Sequence, residues 1–160
     1  MANLISERLE VDDDFEAIQE LYLERGWTDG LPVVPPTAER VEAMLAATPL
    51  TPQDIIGEIP PNWGSATVEK LAVNAVMAGC RPEYLPVVIA AVEAMCDEVF
   101  NLYAIQATTH PCAPLIIVNG PICDDLGLHG GSGAYGPGWR PNATIGRAVR
   151  LVQLNVGGAH

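Results

Sequence analysis

Apolar residues recur at helical spacing in several stretches of this chain. Phe15, Ile18, Leu21 and Tyr22 follow the acidic run Asp12, Asp13 and Asp14, which suits the positive end of a helix, and Gly26 closes that helix. Thr37 caps a short helix with Val41, Met44 and Leu45 facing inward. From Thr67 a longer one carries Val68, Leu71, Ala72, Ala75 and Val76 on one face, with Gly79 just past its end. Asn74 falls beside that stripe, where a buried amide must find partners; it is either a structural hub or a site residue. YLPVVIAAVEAMCDEVF is apolar on nearly every side, which predicts a helix buried centrally or between subunits. The last helix spans residues 143–154, with Asn142 as its cap and Ile145, Ala148, Val149 and Val152 buried. Gly146 costs it about 1 kcal/mol relative to alanine, which close backbone packing would explain.

Strand signals are shorter. Residues 54–59 read as a strand closed by Pro60 and Pro61, followed by a turn at Trp63, Gly64 and Ser65. Residues 100–108 and 113–120 are two further strand candidates, the second rich in Ile and Val. Pro32, Pro35 and Pro36 confine their stretch to a fixed loop or an edge strand. Trp27 and Asp29 beside it line a site or form a turn clamped by one aromatic. The expectation is an α/β or α+β single compact domain over residues 11–160, with several amphipathic helices around a small sheet. Residues 1–10 show no period and read as an N-terminal arm that needs a partner or a docking groove.

Charge narrows the function classes. A formal net charge of −12 argues against nucleic acid as a partner, because its phosphates would be repelled over most of the surface. All 20 acidic residues lie within residues 7–125, whereas residues 126–160 carry none and hold Arg140, Arg147 and Arg150. That asymmetry suggests an anion at the C-terminal segment; the alternative is pairing of these arginines with the acidic remainder. Four widely spaced cysteines with no secretory signal point to a reducing, cytoplasmic setting, and no apolar run is long enough for a membrane span. Cys80 and Cys96 read as small core residues.

The candidate chemistry lies in residues 107–138. His110 and Cys112 stand two apart before a strand candidate, where extended geometry puts both on one face, flanked by Thr108 and Thr109. A thiol beside an imidazole can be held as thiolate, so Cys112 is a candidate nucleophile or metal ligand and His110 a candidate base or ligand. His129 would complete an open three-ligand site for a transition metal, as would Cys123. The plain alternative is that His110 and Cys112 are packing residues. Five glycines between Gly130 and Gly138 then form a loop ahead of the last helix. Gly130, Gly131, Ser132, Gly133 and Tyr135, with Arg140 and Asn142, are candidates for binding a small anionic substrate, since glycines let backbone amides face an anion. The spacing matches no nucleotide motif.

The runs GWTDGLPVVPPT, AVNAVMAGCRPEYLPVV, TTHPCAPLIIVNGPI and RPNATIGRAVRLVQLNVGGA together resemble a bacterial family of poorly characterised proteins associated with selenocysteine- or cysteine-containing proteins that bear a UGSC-type motif. The likeness covers most of residues 26–159. It implies a bacterial, soluble enzyme component acting with a thiol- or selenol-bearing partner, and brings with it no reaction and no catalytic residue. Members of that family continue past the segment matching residues 155–158, which implies a split or shortened chain here, with the pair Gly157 and Gly158 at the connection. Three readings follow. The first is a subunit of a small-molecule enzyme with its site between residues 109–112 and the glycine loop. The second is a non-catalytic partner of a second enzyme subunit in a homo- or hetero-oligomer, and the third is a metal-binding protein using His110, Cys112 and His129.

Overall fold

The structure is a computed structural model that describes residues 4–159. Its centre is the helix that the Thr67 pattern predicts. This helix, α3 (Val68–Ala78), follows α1 (Phe15–Glu24) and α2 (Ala38–Leu45) in the chain. Thr67 accepts from the Lys70 amide at the start of α3, and Gly79 ends it in the left-handed region at φ 86°. Nearly every α3 residue is buried, because α2, α4 (Leu85–Met95) and α7 (Arg140–Asn155) all pack against it. α4 buries Leu85, Val87, Val88, Ile89, Val92 and Met95, as its all-round apolar pattern requires, and leaves Pro86, Ala90 and Ala94 exposed.

Asn74 joins α3 to α7. Its Nδ2 donates to the Lys70 carbonyl at 2.9 Å and its Oδ1 accepts from Asn155 Nδ2 at 2.7 Å. Asn155 also donates to the Trp27 carbonyl at 3.0 Å, so one amide pair ties α3, α7 and the loop after α1 together. This is the structural role.

The sheet has two antiparallel strands, β1 (Ile55–Ile59) and β2 (Gly64–Thr67), with a bulge between Ile55 and Gly57. The expected turn at residues 63–65 is therefore shorter: Trp63, at φ 55°, turns the chain and Gly64 already opens β2. Gly157 and Gly158 lie on this hairpin. A Cβ at Gly157 would fall 2.5 Å from the Pro60 carbonyl oxygen, and one at Gly158 2.0 Å from Asn62 Nδ2. The Asn62 amide donates to the Gly157 carbonyl at 2.9 Å. The glycine pair thus has a packing role here.

The two later strand candidates fold otherwise. Residues 100–108 form α5 (Leu102–Ala107) after a turn at Asn101, φ 54°, because Leu102 and Ile105 meet the interior at helical spacing. Residues 113–119 form neither helix nor strand, and among the described residues no strand pairs with them. A short helix, α6 (Ile122–Leu126), follows. The arrangement is one α+β domain with seven α-helices among the described residues, and no helix of them is long and apolar enough to cross a membrane.

The arm docks on its own chain. Glu69, 1% exposed, accepts from the amides of Ile5 at 3.1 Å and Ser6 at 2.8 Å, and Leu4 packs against the core. Residues 1–3 of the expected arm, like His160, lie outside the described residues.

Candidate functional site

α5 is fastened to the hairpin. Gln106 Nε2 donates to the Pro60 carbonyl, and the Tyr103 ring stacks on Trp63 at 6.1 Å between centroids. The chain leaving α5 is then curled by two local bonds, His110 N to Thr108 Oγ1 at 3.2 Å and Cys112 N to the His110 carbonyl at 2.8 Å. Residues 108–112 are therefore successive tight turns rather than the entrance to a strand, and the shared face expected from extended geometry does not exist. The turns nevertheless bring Thr108, His110 and Cys112 to one place. All three line a cavity of about 480 Å3.

The opposite wall of this cavity is one face of α7. Gly146, Val149, Arg150 and Gln153 recur there at the i, i+3, i+4, i+7 spacing of a single helical face. A Cβ on Gly146 would meet nothing within 4 Å, which overturns close backbone packing as the reason for this glycine. It lowers the wall instead. Arg150 donates to the Ala159 carbonyl at 3.0 Å and to Gln153 Oε1 at 3.4 Å. These bonds use one donor on each terminal nitrogen and leave the rest of the five-donor fork. Gln153 is 3% exposed, and its Nε2 meets the Met95 thioether at 3.8 Å, a weak acceptor. Among the described residues no Asp or Glu side chain lines the cavity, and Arg150 is the fixed charge in its lining. In the sequence Arg150 is marked only by its place in a basic segment; the gap left by Gly146 on the same helical face is the signal that points to it.

The other two arginines are engaged elsewhere. Arg147 clamps Asp29 with bonds of 3.0 and 2.8 Å, and this half-buried pair closes the turn after Trp27. Burial pushes the Asp29 carboxyl up, but the Arg147 hydrogen bond and charge outweigh it and hold it below the usual carboxylate range. Trp27 itself packs edge-on against Tyr22, so the aromatic-clamped turn is the arrangement found. Arg140 places Nε and Nη2 on the Gly79 carbonyl at 3.0 and 2.8 Å, satisfying the end of α3.

The glycine loop lies apart from the thiol. None of its residues lines that cavity. α7 begins at Arg140 with Trp139 as its cap, so Asn142 sits inside the first turn rather than before it. Asn142 instead staples the loop: its Oδ1 accepts from the His129 amide at 3.0 Å, and its Nδ2 donates to the carbonyls of His129 and Ala134 at 2.9 and 3.2 Å. Ser132 offers its carbonyl to the His129 ring at 3.0 Å, and that ring stacks on Trp139 at 3.8 Å. Gly130, Gly131 and Gly133 form the exposed turns between, and Tyr135 is 89% exposed. Thr109 is exposed on the curl before His110. Among the described residues no three His, Cys, Asp or Glu side chains gather as metal ligands, so His129 is not brought to His110 and Cys112, nor is Cys123. Cys123 donates to the Val118 carbonyl at 3.2 Å.

The thiols differ in setting. Burial pushes the Cys80 thiol up to about 11 and raises Cys96 as well, whereas Cys112 is exposed at the cavity. No protein-family model, curated protein or solved structure matches this chain.

Proposed function

We propose that this chain is a subunit of an enzyme that transforms a small anionic molecule in the cavity between residues 108–112 and α7. The observation that carries this reading is the meeting, around one cavity of about 480 Å3, of Cys112 and His110 with Arg150 and Gln153. That size suits a small substrate. Arg150 supplies a guanidinium fork for a carboxylate or phosphate, and Gln153 a buried amide to orient it. Cys112 is the nucleophile and His110 the base that takes its proton. Among the described residues no hydrogen bond joins the imidazole to the thiol, so that contact forms with substrate bound. The anion site of this reading is Arg150 rather than Arg140 and the glycine loop, because Arg140 already serves the Gly79 carbonyl.

Protection of the thiol tests it. Butyrate slows the alkylation of Cys112 by iodoacetamide, followed by peptide mass spectrometry, and Arg150→Gln abolishes the protection. Absence of protection in the unaltered chain, or protection that survives in Arg150→Gln, would overturn the reading.

A further inference from the structure

A second cavity backs onto the first. It measures about 570 Å3 and lies between α4 and the irregular residues 114–118. Among the described residues Asn119 is the one with a hydrogen-bonding polar side chain in its lining; α4 contributes Val87, Ala90, Ala91, Ala94 and Met95. Pro114 and Ile116 line both cavities, so one stretch of chain is the wall between them. Met95 and Gln153 make a second link, since the Met95 sulfur in the apolar cavity accepts from the Gln153 amide in the polar one.

The wall is weakly held. Among the described residues, 113–117 make no main-chain hydrogen bond, and Leu115 and Ile117 are 62% and 74% exposed. Such a segment yields to a ligand at little cost in hydrogen bonding. An apolar cavity beside a cation that has no Asp or Glu partner among the described residues matches one ligand chemistry, a polar anionic head with a hydrocarbon tail.

We propose that the two cavities together take an unbranched aliphatic carboxylate. Its head lies at Arg150 and Gln153, and its chain passes Pro114 and Ile116 to lie against the alanines of α4. This deepens the proposed function and rests on the anionic site described there.

Calorimetric titration of the full chain with butyrate, hexanoate, octanoate and octanol tests it. Affinity for the acids rises by about fourfold per added methylene. Arg150→Gln weakens octanoate by about tenfold and leaves octanol unchanged. Ala94→Phe, which fills the apolar cavity, flattens the chain-length series without weakening butyrate. If Ala94→Phe fails to fold by circular dichroism, the series on the unaltered chain decides alone. Binding independent of chain length would overturn the tail while leaving the anionic site intact. Equal binding of octanoate and octanol, unmoved by Arg150→Gln, would overturn it by revealing an apolar sink. Failure of butyrate to protect Cys112 would instead remove the anionic site itself.

Discussion

Gly146 illustrates how one residue can trade stability for space. It stands inside α7, where the backbone suits alanine, and the volume beyond its Cα is open. Gly146→Ala therefore stabilises the fold by up to about 1 kcal/mol, read as a raised midpoint in urea. The same methyl narrows the cavity, so alkylation of Cys112 slows in that variant. A stabilised variant with unchanged alkylation would mean that the glycine does not shape the site. At this scale the sequence was partly legible. The pairing of His110 with Cys112 stood out by residue type, and the structure does bring both to one cavity. Arg150 did not stand out, because three arginines in a basic segment look alike until their partners are known. Asp29 and the Gly79 carbonyl turned out to occupy two of them.

Among the elements, helices were legible where their apolar stripe and caps agreed. Thr37, Thr67 and Gly79 all serve as expected at the ends of α2 and α3. The strands were less so, because β propensity records burial on a pleated surface and not pairing itself. The Ile-containing residues 113–119 form no strand and pair with none among the described residues, and residues 102–107 coil into α5 once Asn101 turns the chain. No local pattern marks the contact between the hairpin and the end of α7. There Gly64 lies so close to Val156 that a Cβ would fall 2.0 Å from its carbonyl oxygen. Backbone cannot give way as a flexible side chain would. Gly64→Ala is expected to destabilise the protein by about 3 kcal/mol in urea unfolding, whereas a loss below the error of the measurement would show that the hairpin and α7 separate freely.

At the level of the whole molecule, individual acidic residues such as Asp29 and Glu69 tie parts of the fold together, and among the described residues no Asp or Glu side chain lines the Cys112 cavity. Glu69 is the clearest acidic case. Burial pushes its carboxyl up, but hydrogen bonds from Ser6 and Ile5 and the charge of Arg8 outweigh it, holding it below the ordinary glutamate value of about 4.3. A carboxyl lowered in the folded state stabilises above its unfolded value and loses that contribution as pH falls through the folded one. Docking of residues 4–6 is thus complete above about pH 5 and released in more acidic solution. The amide shifts of Ile5 and Ser6, followed by NMR, should titrate below the glutamate range and lose that response in Glu69→Gln. A midpoint at the ordinary value would contradict this.

In the proposed function Arg150 makes the Cys112 cavity a site for anions. The most direct measurement compares the alkylation rates of Cys112 with iodoacetate and iodoacetamide, reagents that differ chiefly in charge. A guanidinium in the lining of the same cavity as the thiol draws the anionic reagent, so the ratio of iodoacetate to iodoacetamide rates falls on Arg150→Gln. An identical ratio in the two proteins would contradict the account.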